Sequence, residues 1–205
     1  MSTITKSGTN QKRRLASTRK PREHFISQDS MLTVEQWADM PDTRPHYELV
    51  DGKLIQKMTT NTAHAWAAGK LLIALSQWGD ARGWTFLPEG TGVKLGEYGG
   101  AVPDVVGFSP DQQLHAEANY YEKPFLVAEI LSRRTAKRDR TRKVSGYASI
   151  GVQLYLIIDP VARSVEVHSL QDGAYGAPQI LKDSDVWQPT ELPDFVLPVE
   201  KLWFQ

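Results

Sequence analysis

The sequence predicts an α/β (α+β) fold in a single domain, and three observations carry that expectation. Short apolar, β-branched-rich runs of strand length recur at residues 105–108, 125–131 and 152–158. Ahead of them, Ala67, Leu71, Leu72, Leu75 and Trp78 recur at the spacing of one helix face. At 205 residues the chain is long enough for one well-packed α/β domain and short for two.

Residues 1–30 stand apart. They hold seven bases and two acids, leaving 17 bases and 22 acids for the remainder and a neutral total. With almost no periodic apolar signal, this stretch buries too little surface to offset its ordering entropy. A disordered basic tail is expected at 1–30 and one folded domain at 31–205. The neutral total does not advertise a nucleic-acid binder, so such a role must rest on local patches. The absence of cysteine excludes disulfides, thiolate chemistry and cysteine-ligated zinc. No apolar run approaches the ~18 residues of a membrane span, so a cytoplasmic protein without a membrane partner is expected.

Thr33 and Gln36 form a capping box for a short helix that ends before Pro41. Asp51-Gly52, between the apolar runs at 47–50 and 53–55, signals a two-residue hairpin. Asn61 or Thr62 can cap the long helix carrying the 67–78 stripe, and Gly83 marks its end. Strands are expected at 84–87 and 92–95, a turn at 96–100, and a loop or short helix at 109–122. A helix is expected from the second half of 132–143 to about residue 150. Strands follow at 152–158, 164–170 and 175–181, the last two joined through Asp172-Gly173. The remainder, with Pro189, Pro193 and Pro198, reads as extended packing.

Two of the strand-like runs carry one carboxylate each, Asp104 and Glu129. An acid within a run fit for a buried sheet is costly unless its charge is compensated. Two such acids on neighbouring strands could share a divalent cation, with Lys143 near enough in sequence to assist. Asp139 and Lys143, spaced i, i+4, fall on one helical face. Each residue also has a plain structural reading. Pro103-Asp104 is common turn chemistry, Glu129 could pair with an arginine, and Lys143 could be a solvated helix residue.

Five ordered motifs carry a resemblance: Tyr47-Glu48-Leu49-Val50-Asp51-Gly52, Val102-Pro103-Asp104-Val105-Val106, Ala128-Glu129-Ile130-Leu131-Ser132, Arg138-Asp139-Arg140 through Lys143 and Tyr147, and Ile157-Ile158-Asp159-Pro160. Together the chain resembles the Uma family, a domain of unknown function grouped with endonucleases of the PD-(D/E)XK, or restriction-endonuclease-like, superfamily. The resemblance spans about residues 32–170. It implies a restriction-endonuclease-like core, a central mixed β-sheet flanked by helices, with Asp104 and Glu129 as ligands of Mg2+ or Mn2+. The superfamily lysine two residues after the second acid is Leu131 here. A lysine on the next helix stands in for it within the family, and Lys143 matches that position. Glu48 matches a further family acid that could support the metal or a water, or could equally make a local strand-end pair. Asp139 matches as a cap or an orienting partner for Lys143. His64 lies where related chains often carry a histidine, and with no metal-binding neighbour in sequence it reads as a satisfied or surface residue.

Two departures stand out: Ser132-Arg133-Arg134-Thr135 where the family has Ser-Pro-Ser-Thr, and Leu154-Tyr155-Leu156 where it has Glu-Tyr-Trp. The first expectation is therefore a magnesium-dependent endonuclease acting on nucleic acid, DNA foremost. Arg133, Arg134, Lys137 and Arg138, continued by Arg140 and Arg142, would offer a basic approach, although such a run is more often merely solvated. A homodimer is compatible with cutting two strands. The rivals are a module that binds nucleic acid or protein on the same fold without useful cleavage, and an interaction protein with no nucleic-acid role.

Overall fold

The computed structural model describes residues 31–41, 46–57, 61–132 and 139–205. The basic tail expected at 1–30 lies outside them, as do Arg133, Arg134, Lys137 and Arg138. Helix α1 (Val34–Ala38) opens with the expected capping box: the Thr33 hydroxyl accepts from the Gln36 N–H, and the Gln36 side chain accepts from the Thr33 N–H. Strands β1 (Tyr47–Val50) and β2 (Lys53–Gln56) follow. Their tight turn has φ of 49° at Asp51 and 72° at Gly52, the mirror-image geometry that matches strand twist.

Helix α2 (Thr62–Gly79) is capped by Asn61, whose Oδ1 accepts from the His64 N–H at 3.0 Å. Gly83, at φ 77°, closes the short 3-10 turn after it. Strand β3 (Thr85–Pro88) leads to β4 (Gly92–Gly96) and β5 (Gly99–Ala101). The turn expected at 96–100 is therefore shorter, since Gly96 pairs with Gly99 and only Glu97 and Tyr98 lie between. Gly100 belongs to a strand for a steric reason: a Cβ there would stand 2.5 Å from the Trp37 ring, which packs onto this bare patch. The loop at 109–122 also contains a two-residue strand, β7 (Tyr120–Tyr121), preceded in the chain by β6 (Val105–Phe108). One sheet runs β2-β1-β5-β4-β7, with β7 parallel to β4.

The larger sheet holds β3, β6, β8 (Leu126–Ile130), β9 (Leu154–Asp159), β10 (Ser164–Gln171) and β11 (Ala174–Tyr175). Its order is β11-β10-β9-β8-β6-β3, and β12 (Gln179–Lys182) also pairs with β10. The β8–β9 pair is parallel and its neighbours are antiparallel, so the sheet is mixed. The single strand expected at 175–181 is split into β11 and β12. A π-helical turn (Asp139–Lys143) leads into α3 (Val144–Ser149). The C-terminal stretch is more than extended packing: β13 (Val186–Trp187) pairs with β14 (Leu197–Pro198) before a 3-10 turn, Val199–Leu202.

Alternation along β8 divides the core. Leu126, Ala128 and Ile130 pack with Ala67, Leu71, Leu75 and Trp78 of α2. Val127 and Leu131 pack on the other face with Tyr147, Tyr155 and Ile157. Each fully buried leucine contributes about 1.5–3 kcal/mol of transfer free energy. Parity therefore sends the Glu129 side chain toward α3 and the smaller sheet. Among the described residues no helix is long and apolar enough to cross a membrane.

Candidate active site

Asp104 sits at the entry to β6, and its two oxygens are held from three directions. Ile130 N–H, on β8, donates to Oδ2 at 2.7 Å. The Lys57 ammonium reaches Oδ1 at 2.7 Å, and His64 Nε2, from the first turn of α2, lies 3.2 Å from the same oxygen. Burial alone would raise this carboxyl, but His64 and Lys57 outweigh it and hold Asp104 below the usual carboxylate range.

Glu129 Oε1 accepts from the Tyr147 hydroxyl at 2.8 Å and from Lys143 Nζ at 2.8 Å. Burial, reinforced by Asp139 and Asp104, pushes its carboxyl up to about 8 against the pull of Lys143 and Lys57. Lys143 is the hub of this half. Its ammonium lies 2.8 Å from Glu48 Oε1 on β1 and 3.4 Å from Asp139 Oδ1, one turn back in the chain. Burial would lower the lysine, but Glu129, Glu48 and Asp139 together raise it well above its ordinary value. Tyr155, on β9, donates its hydroxyl to the Asp139 carbonyl at 3.1 Å and so fixes the π turn that carries Lys143.

Every buried carboxylate among the described residues belongs to this cluster: Glu48, Asp104, Glu129 and Asp139. So does every buried lysine, Lys57 and Lys143. Four acids thus face two ammonium groups in a place where uncompensated charge is expensive. A cleft of about 540 Å³, lined also by Tyr98, Arg142 and Ser145, reaches Glu48 and Lys143.

The structure thus brings Asp104, Glu129, Lys143, Glu48 and Asp139 together. Glu48 pairs with a lysine 95 positions away. Asp139 stands as the partner of Lys143. His64 is satisfied, as its sequence context suggests, but its partner is Asp104, which brings it into the site. Lys57 was not legible, because nothing in Gln56-Lys57-Met58 marks a residue whose partner lies 47 positions on. Arg140 and Arg142 do not offer a free basic approach: Arg140 is paired with Glu166 and Asp159, and Arg142 with Asp51.

The donor chemistry, carboxylate oxygens in excess of positive charge, is the kind that hard divalent cations take. Among the described residues, however, no three His, Asp or Glu groups are gathered into a set that would hold an ion unaided. The ammonium of Lys143 lies among three of the acids.

A mixed sheet with α2 on one face and α3 with a second sheet on the other is the restriction-endonuclease-like α/β architecture. Residues 34–200 match the model of the Uma2 family, described as "Putative restriction endonuclease", and the chain belongs to that family. Its fold is similar to that of a solved Anabaena variabilis protein described as a "putative nuclease belonging to DUF820". That likeness has a TM-score of 0.71 at 22% identity, covering 84% of this chain and 97% of the other. No curated protein matches the chain.

Proposed function

We propose that this protein is a divalent-metal-dependent endonuclease that hydrolyses phosphodiester bonds, with DNA as its substrate. The observation that carries the reading is the buried cluster itself, in which four carboxylates outnumber two lysines. Keeping all four ionised is costly, as the Glu129 carboxyl pushed up to about 8 reflects, and a divalent cation would offset that cost. Asp104 and Glu129 would hold Mg2+ or Mn2+, and the bound ion would polarise the scissile phosphate and supply an acidified water.

The chain's own residues have distinct tasks. Asp104 stays ionised through His64 and Lys57, so it is ready to act as a ligand. Lys143 stays charged, which disqualifies its amine as a base and leaves it an electrostatic role beside developing charge on phosphate. Glu48 and Asp139 fix the position of that ammonium. Tyr147 orients Glu129. Arg133, Arg134, Lys137 and Arg138 are assigned to the phosphate backbone, where each contact adds salt-dependent affinity.

The test is cleavage of supercoiled plasmid, single-stranded DNA and RNA in Mg2+ or Mn2+, with chelator controls. The expected result is ion-dependent nicking or cutting of DNA. It should fall about a hundredfold or more in Asp104→Ala and in Glu129→Ala, the scale on which lost transition-state electrostatics acts. Undiminished cleavage by both variants would overturn the assignment. One observation favours a second reading, a binding module with little turnover: the lysines already engage the acids. Salt-dependent DNA binding with no cleavage in any divalent ion would select it.

A further inference from the structure

Lys57 is a buried cation that the mechanism above uses only as a neighbour of Asp104. It directly follows β2, and its own N–H donates to the His46 carbonyl at 2.7 Å, which anchors its backbone beside the smaller sheet. Its ammonium lies 2.6 Å from the Val102 carbonyl, 2.7 Å from Asp104 Oδ1 and 3.3 Å from Glu89 Oε1. One carbonyl and two carboxylates thus surround a positive charge, an oxygen-only cradle of the kind that Mg2+ and Mn2+ take. The rest of Asp104 is committed, with Oδ2 bound to Ile130 N–H and Oδ1 shared with His64.

A divalent ion and an ammonium on one carboxylate oxygen repel each other strongly in a buried setting. Either the ion avoids Asp104, or Lys57 leaves. Lys57 has the means to leave, since four methylenes carry its charge and Glu89, with a side chain 32% exposed, lies on the solvent side of the cradle.

We propose that Lys57 is a tethered occupant of the cation position at Asp104, and that a divalent ion binds there by exchange with the Lys57 ammonium, which moves outward to solvent. The inference rests on the metal-dependent reading above. In the ion-free chain Lys57 keeps Asp104 paired. It also sets the ion's apparent affinity, which is reduced to the extent that the cradle is filled from within. A substrate phosphate that brings its own negative charge then shifts the exchange toward the ion. Ion loading and substrate arrival are thereby linked through one side chain.

The experiment is calorimetric titration of the full chain with MnCl2 and with MgCl2, without nucleic acid, alongside Lys57→Met, Lys57→Arg and Asp104→Asn. Lys57→Met, which keeps the length and removes the charge, is expected to bind the ion about tenfold or more tightly than the parent. Lys57→Arg is expected to bind like the parent, and Asp104→Asn to lose the ion. Lys57→Met should also melt lower than the parent in chelator and gain more in melting temperature from Mn2+. Parent binding that Lys57→Met fails to tighten, with the variant folded, overturns the exchange and leaves the metal site standing. Absence of binding in parent and variant alike, with both folded, overturns the metal reading and the exchange with it. Should Lys57→Met not fold, Lys57→Gln is titrated in its place and judged by the same outcomes.

Discussion

Lys143 Nζ and Glu48 Oε1, on residues 95 positions apart, meet at 2.8 Å with both side chains buried. A pair of this kind stabilises chiefly by preventing a worse state, because each charge alone is left desolvated and uncompensated. In urea unfolding, Lys143→Met and Glu48→Gln should each cost about 3–5 kcal/mol. The double variant should cost less than the sum, with a coupling of about 1–3 kcal/mol. Strictly additive losses would show that the contact carries no energy.

Tyr155 offers a test of how the lysine is aimed. Its hydroxyl bond to the Asp139 carbonyl holds the π turn rather than any ionised group. Tyr155→Phe should lower stability by about 1 kcal/mol. If the proposed chemistry holds, cleavage should drop several-fold while DNA affinity stays at the parent value. A variant as active as the parent would mean that the turn is held well enough without this bond.

His168, on β10, lies buried among the rings of Tyr155 and Tyr175, and among the described residues neither ring nitrogen has a hydrogen-bond partner. Burial lowers its pKa, and the carboxylate of Glu166 only partly counters this. Above the ordinary histidine value of about 6.5 the ring is neutral in both folded and unfolded chains, so it adds no pH dependence. Below that value the unfolded chain takes up a proton that the folded chain resists, so stability falls as pH falls. Melting temperatures between pH 8 and 5 should therefore drop less steeply in His168→Phe than in the parent. Equal slopes would rule out this histidine as a source of acid sensitivity.

The sequence-legible parts of the fold are those whose causes are local. The capping box at Thr33 and Gln36, the Asp51-Gly52 turn and the α2 stripe each depend on residues within a turn or two of one another. Asp104 and Glu129 could be singled out because an acid in an apolar run is locally anomalous. Where the cause is distant, the sequence is silent. Gly99 and Gly100 read as part of a turn because glycine carries no side-chain preference; they belong to a strand because Leu49, Lys94 and the Trp37 ring flank it. Tyr120–Tyr121 has no alternation to read over two residues, and only its parallel alignment with Gly92 and Val93 makes it a strand. Lys57 and His64 look like ordinary polar residues of a strand end and a helix start until the fold carries Asp104 between them.

The two sheets exchange charges. Glu48 and Lys57 come from the smaller sheet or its edge, while Asp104 and Glu129 come from the larger one, and each finds its counter-charge across the gap or on the π turn. The chain itself crosses the same seam five times, from β2 through α2 to β3, from β3 to β4, from β5 to β6, from β6 to β7 and from β7 to β8. Neither sheet is a self-sufficient half, since parting them separates the Lys57 ammonium from Asp104. The seam is therefore a zipper of ions set beside the apolar cluster of Val93, Ala101, Val106 and Val127, and it locks assembly of the fold and assembly of the buried charge cluster into a single cooperative event.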